Sequence, residues 1–256
     1  MKAVILAGGL GTRLSEETHL KPKPMVEIGG KPILWHIMKI YAHYNIKEFI
    51  VLCGYKSEII KEYFFNYHIK NSDLEIDLKK NKISFLSKFK EDWKITLLET
   101  GTKTMTGGRL RFVKPLLEEG EQFCMTYGDG VGNIDIKKLI SFHKKSKKLA
   151  TVTLVQPFGR WGQVKTKKNS ITQFSEKPKG DGAWVSGGFF VLNKNALKTL
   201  KNSHDIWEKE HLSNLASKGQ LGGYKHNGFW KAMDTLNDRN FLENEWKTKP
   251  KWKIWK

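Results

Sequence analysis

Short apolar runs alternate with amphipathic stretches along most of this chain. Residues 2–7 are almost continuously apolar and predict a strand buried on both faces. Pro32 stands at the first position of a predicted helix over 33–44, whose apolar residues are Ile33, Trp35, Ile37, Ile40 and Tyr41. The pattern then predicts a strand at 49–53, a helix at 57–65, a strand at 95–98, a helix at 107–117 and a strand at 122–127. Asp135 is placed to cap a helix running through residue 143. Beyond residue 149 strands dominate, at 151–155, 163–165, 171–174 and 184–192. Two helices follow, near 206–217 and 236–246, with a glycine-rich strand between them. Residues 66–92 are irregular and polar, with short alternating runs, and predict a loop or hairpin inserted in the sheet order.

Alternating strands and helices predict an α/β fold: a mixed, mostly parallel central sheet flanked by helices. The 256 residues suit one domain, taken as 1–247, with a basic aromatic tail at 248–256 carrying Trp252 and Trp255. That tail reads as an oligomer contact or a loose end, with membrane adhesion as a minor alternative. The hydrophobic fraction of 39% and the mean hydropathy of −0.50 fit a water-soluble globular chain. No apolar stretch is long enough to span a bilayer and no leader precedes the first strand, so a cytoplasmic location is expected. Cys53 and Cys124 end apolar runs and read as reduced, packed thiols. His36 and His43 share a helix face but lack a third ligand nearby, which argues against zinc. The formal net charge of +19 would suit a nucleic-acid binder, but the lysines are scattered, with clusters at 79–82, 144–148 and 247–253. Solvated faces explain them better than a nucleic-acid surface.

The first strand feeds Ala7-Gly8-Gly9-Leu10-Gly11-Thr12-Arg13-Leu14. Glycines let backbone N–H groups converge on an anion without side chains in the way. Arg13 and Lys23, the latter within Lys21-Pro22-Lys23-Pro24-Met25, add fixed positive charge beside that loop. Leu14 occupies the place of the third glycine of a dinucleotide fingerprint, and no Walker A run is present. Further along, Tyr127-Gly128-Asp129-Gly130 puts a carboxylate just past a strand end, where open α/β sheets bind ligands; an ordinary Asp-Gly turn is the plain alternative. Asp234, in Met233-Asp234-Thr235, would by itself cap the helix that follows, and Glu176-Lys177 would by itself be a surface ion pair. Two carboxylates such as Asp129 and Asp234 can also hold Mg²⁺.

Taken in order, the 6–14 loop, Lys-Pro-Lys-Pro-Met, Gly-Asp-Gly, Glu-Lys-Pro and Met-Asp-Thr resemble the signature of the sugar-1-phosphate nucleotidylyltransferases over residues 1 to about 240. Residues 99–110 (ETGTKTMTGGRL) and 26–36 are most similar to the branch that uses CTP and glucose 1-phosphate. The resemblance implies a Rossmann-like nucleotidyltransferase fold, with residues 1–130 mainly binding nucleotide and 131–235 mainly binding sugar phosphate. It implies a Mg²⁺-dependent transfer giving CDP-glucose, an activated sugar for surface-polysaccharide deoxysugars, and pyrophosphate. Leu6, Ala7, Gly8, Gly9, Leu10, Gly11, Thr12 and Arg13 would hold the β- and γ-phosphates. Lys23 would lie at the α-phosphate, Thr104, Arg109 and Gly128 around cytosine and ribose, and Asp129 and Asp234 on Mg²⁺. Lys177 would bind the sugar phosphate and Glu176 the sugar hydroxyls, with Tyr127, Gly162 and Gly188 lining the sugar pocket. A homo-oligomer, a hexamer, is also implied. The same fold acting on UTP, dTTP or another sugar phosphate is the nearest alternative. A non-catalytic regulatory domain would be expected to lose the lysine or the carboxylates, and Lys23, Asp129 and Asp234 are all present.

Overall fold

A computed structural model describes residues 1–87, 91–157, 162–176 and 183–255. Seven strands form the central sheet: β1 (Lys2–Leu6), β2 (Glu48–Cys53), β3 (Lys94–Glu99), β4 (Gln122–Tyr127), β5 (Ala150–Val155), β6 (Val185–Asn193) and β7 (Leu221–Lys225). Their spatial order is β7-β5-β6-β4-β1-β2-β3. The β1–β2, β1–β4, β2–β3 and β5–β7 pairs are parallel, while β6 runs antiparallel to both β4 and β5. One reversed strand among seven gives the mixed, mostly parallel sheet expected from the sequence.

Both faces of the sheet are covered, which is why the central strands read as unbroken apolar runs. Along β1, Ala3 and Ile5 enter one core cluster while Val4 and Leu6 enter the other. Helices α1 (Ile33–His43), α2 (Ser57–Phe65), α3 (Ile136–Ser146) and α4 (Leu236–Lys247) contribute to the first cluster through residues such as Ile37, Ile60, Leu139 and Leu242. The second cluster takes Leu110, Val113, Leu197, Trp207 and Leu215 from shorter helical turns. Among the described residues, no helix is long and apolar enough to cross a membrane.

Several local expectations are met. The Asp135 side chain accepts the Lys138 N–H at 2.9 Å and caps α3. Cys53 and Cys124 are buried free thiols, and burial pushes both up to about 12. The hairpin expected within residues 66–92 is present: Leu74–Asp77 pairs with Lys82–Phe85, apart from the central sheet, where β2 pairs directly with β3. The tail corrects an expectation, because it is not loose: Trp252 is fully buried, tilted 22° to Phe229 at 5.8 Å, and its indole N–H donates to His36 Nδ1 at 3.4 Å. Large aromatic rings bury more area than their lysine neighbours can hold in water, so the lysine-rich composition of the tail conceals a core segment.

Candidate functional site

Strands β1 and β4 lie side by side with Leu6 opposite Tyr127, so the chain leaves both at the same carboxyl edge of the sheet. A cavity of about 450 Å³ opens there, between the glycine loop, residues 102–106 and the Tyr127-Gly128-Asp129 turn. Leu6 to Arg13, Lys23, Thr104, Arg109, Tyr127, Gly128 and Asp129 all line it. Gly11 has φ +68°, the left-handed region that glycine adopts without penalty, and its carbonyl accepts from Thr18 Oγ1 at 3.1 Å and from the Leu14 N–H at 2.9 Å. A Cβ on Gly8 would lie 2.1 Å from the Arg109 guanidinium, so a side chain there would push that group off its carbonyl partners.

Lys23 sits on a 3-10 turn, Lys23–Met25, that Pro22 and Pro24 fix in place. Its Nζ donates to Asp129 Oδ2 and to Asp234 Oδ1, each at 2.7 Å. Arg13 reaches Asp234 Oδ2 at 2.9 Å while its side chain stays 69% exposed. Burial pulls the Lys23 ammonium down; the Asp129 and Asp234 carboxylates more than offset it, so its pKa is raised and it stays charged.

The two carboxylates meet through a small antiparallel ladder. Gly130–Gly132 pairs with Trp230–Ala232, and the Met233 N–H donates to Asp129 O at 2.8 Å. Asp129 and Asp234 therefore stand at one end of the ladder, 105 positions apart in sequence but bound to one ammonium. Asp234 does not cap α4: Thr235 and Asp238 form a capping box there, which leaves the Asp234 carboxylate to Lys23 and Arg13.

Arg109 is buried and spends its guanidinium inside the protein. It donates to Gly8 O and Gly101 O at 2.8 Å, to Cys53 O at 3.1 Å and to Thr100 Oγ1 at 2.5 Å. One side chain thus ties the glycine loop, the end of β2 and the 100–101 bend into one wall of the cavity.

Glu208 carries no motif and the sequence gives no signal for it. Its carboxylate accepts from Tyr127 OH and from Thr106 Oγ1, each at 2.5 Å, across 81 and 102 positions of chain. Burial, followed by the Glu208 charge, pushes the Tyr127 hydroxyl well above its ordinary pKa. The Tyr127 ring lies against Gly188, which has φ +74° and where a Cβ would come within 2.7 Å of the ring. Gly162 and Glu176 lie beside each other at the base of the exposed hairpin Gln163–Lys167 and Ser170–Ser175 and are not among the residues that line the cavity. Lys177 lies outside the described residues.

Among the described residues, no group of three or more His, Cys, Asp or Glu gathers to hold a metal ion. Asp129 and Asp234 do converge on one cation, the Lys23 ammonium. That donor set fits Mg²⁺, which is ordinarily held by one or two carboxylates with phosphate oxygens and water completing its shell.

Residues 2–238 match the nucleotidyl transferase family. The chain is 53% identical over 256 residues to the glucose-1-phosphate cytidylyltransferase of Salmonella typhimurium, with all of both chains covered. It is 45% identical over 257 residues to a probable glucose-1-phosphate cytidylyltransferase of Bacillus subtilis, again covering all of both. A solved structure of a putative glucose-1-phosphate thymidylyltransferase from Bacillus anthracis, in complex with a sucrose, superposes with a TM-score of 0.71 at 17% identity, covering 97% of this chain and 96% of that one. At that identity the likeness speaks for the fold alone.

Proposed function

The chain belongs to the nucleotidyl transferase family, and we propose that it transfers a cytidylyl group from CTP to α-D-glucose 1-phosphate, giving CDP-glucose and pyrophosphate. The observation that carries the chemistry is the convergence of Lys23, Asp129 and Asp234 at the mouth of a glycine-lined cavity. The choice of cytosine and glucose is supported by the names of the full-length relatives and by residues 99–110.

A phosphate oxygen of the sugar phosphate attacks the α-phosphorus of CTP in line. The bond from the α-phosphorus to the bridging oxygen breaks and pyrophosphate leaves. The protein positions the two anions and neutralises charge, which accounts for most of what such a transfer needs. Backbone N–H groups of Leu6 to Gly11, with Thr12 and Arg13, hold the β- and γ-phosphates. Lys23 bears on the α-phosphate and the leaving oxygen. Thr104, Arg109 and Gly128 shape the cytosine and ribose side, with Arg109 acting through the loops it clamps. Glu176, Lys177, Tyr127, Gly162 and Gly188 serve the sugar phosphate. Asp129 and Asp234 would hold Mg²⁺, which supplies charge neutralisation at the phosphates when bound. For either cation to work on substrate, Lys23 and Arg13 must exchange carboxylate partners for phosphate.

This proposal also assigns residues 1–130 mainly to nucleotide and 131–235 mainly to sugar phosphate, and a homo-oligomeric, hexameric assembly, which light scattering checks. The functional test is pyrophosphate release. Release that requires CTP, glucose 1-phosphate and Mg²⁺ together, with CDP-glucose as the second product, supports the proposal. CTP consumption independent of glucose 1-phosphate contradicts it.

A further inference from the structure

Glu208 sits on a π-helical turn, Trp207–His211, that continues into the helix Leu212–Ser217. Such turns are rare and are frequently found at functional sites. The turn is anchored from below. Trp207 is fully buried beside Phe190, His211 Nδ1 bonds Thr199 Oγ1 at 2.9 Å, and the Trp207 N–H donates to Thr106 Oγ1 at 3.0 Å.

The approach to the turn is equally constrained. The Met105 N–H donates to Ser203 O at 2.8 Å and the Gly108 N–H to Asp205 O at 3.0 Å. A Cβ on Gly107 would lie 2.9 Å from Asp205 O, and one on Gly108 2.6 Å from Ser203 O. Gly107-Gly108 therefore lets the 203–206 strand of chain pass at backbone contact. That passage delivers Glu208 to Thr106 and Tyr127, one hydroxyl on each carboxylate oxygen. Thr106 and Tyr127 both line the cavity, Thr106 at the end of the 102–106 segment and Tyr127 in the turn that leads to Asp129.

We propose that Glu208 is a positioning residue that ties the nucleotide-side wall to the sugar-side wall, so that one carboxylate tunes the binding of both substrates; this rests on the function proposed above. Glu208 does not itself line the cavity. It acts by holding the Tyr127 ring on Gly188 and the Thr106 hydroxyl at the start of the helix Thr106–Leu110. The protonated Tyr127 hydroxyl donates to the carboxylate, a charge-assisted bond stronger than a neutral one.

Kinetics of Glu208→Ala, Glu208→Gln, Tyr127→Phe and the Glu208→Ala/Tyr127→Phe double variant test this, with CTP titrated calorimetrically into each protein. Loss of a hydrogen bond to a charged group sets the scale, so Glu208→Ala is expected to raise both KM values about tenfold with a smaller change in kcat. Glu208→Gln keeps the shape and can bond both hydroxyls, and is expected to return both values to within about threefold of wild type. Tyr127→Phe is expected to raise KM for glucose 1-phosphate more than for CTP. The double variant should then show no further rise for the sugar phosphate beyond Glu208→Ala alone. KM values of Glu208→Ala within twofold of wild type overturn the proposal. So does a fall in kcat shared equally by Ala and Gln at constant KM, which is what a merely structural role produces. The calorimetric Kd for CTP decides the same point without turnover. An inactive wild type would count against the proposed function, whereas unchanged binding in the variants would count against Glu208.

Discussion

Replacing Lys23 by methionine keeps most of the buried stem and removes the charge. In wild type the ammonium lies 2.7 Å from both Asp129 Oδ2 and Asp234 Oδ1, with only 10% of its side chain exposed. Two unit charges about 4 Å apart in a partly buried site, at an effective dielectric of about 20, interact by about 4 kcal/mol. Only the portion that grows as charge builds on the leaving oxygen appears in the rate. A fall in kcat/KM of about 10²–10³-fold, or about 3–4 kcal/mol, is therefore expected. A second effect has the opposite sign. With the ammonium gone, Asp129 loses its cation and Asp234 keeps only the exposed Arg13, so Mg²⁺ added without nucleotide should bind more tightly to Lys23→Met than to wild type. Continuous pyrophosphate detection gives the first quantity and calorimetric Mg²⁺ titration the second, with thermal unfolding confirming an intact fold. A rate loss below threefold would remove Lys23 from the mechanism. Weaker Mg²⁺ binding in the variant would refute the view that lysine and metal share the same carboxylates.

Asp129→Asn and Asp234→Asn should each raise the Mg²⁺ concentration needed for half-maximal activity, and an unchanged Mg²⁺ titration in either would reject that residue as a ligand. Trp252→Ala should lower stability by about 3–5 kcal/mol in urea unfolding, the range for a large buried aromatic, whereas a dispensable tail would leave the midpoint in place. His36 is held neutral: burial pushes its pKa down to about 4, with Nε2 on Ile28 O at 2.8 Å and Nδ1 accepting from Trp252. Because the folded value lies below the unfolded value of about 6.5, its contribution is complete above that pH and is lost as pH falls toward 4, by up to about 3 kcal/mol. The pH dependence of unfolding in wild type minus that in His36→Gln reads this directly, and a flat difference between pH 7 and 4 would count against it.

The sheet strands and the longer helices could be read from the sequence because each carries its own periodicity. The site was legible where chemistry and local backbone coincide, as in the glycine loop and the Gly128-Asp129-Gly130 turn. It was less legible where two residues compete for one local role. Asp234 and Thr235 both suit a helix N-cap, and only the Thr235–Asp238 capping box shows which of them is spared for the site. Gly107-Gly108 has its reason in the backbone of residues 203–205 packed against it, which no local pattern shows. The resemblance implies a place for Arg109 at the base and ribose, whereas its donors go to carbonyls of loops far apart in sequence. Glu208 could not be found at all, since neither of its partners lies within 80 positions of it. Trp252 and Trp255 were masked by a lysine-rich tail whose charges point outward while the rings fill the first core cluster.

A site that joins a cytidylyl group to glucose 1-phosphate must choose among nucleotides. The most direct measurement is kcat/KM for pyrophosphate release with glucose 1-phosphate and Mg²⁺, compared across CTP, UTP, dTTP, ATP and GTP. CTP is expected to lead the others by at least tenfold. Equal turnover of all five, or a lead for another nucleotide, would contradict the assignment of cytosine while leaving the fold and the transfer chemistry in place. Absence of turnover with every nucleotide would contradict the account as a whole.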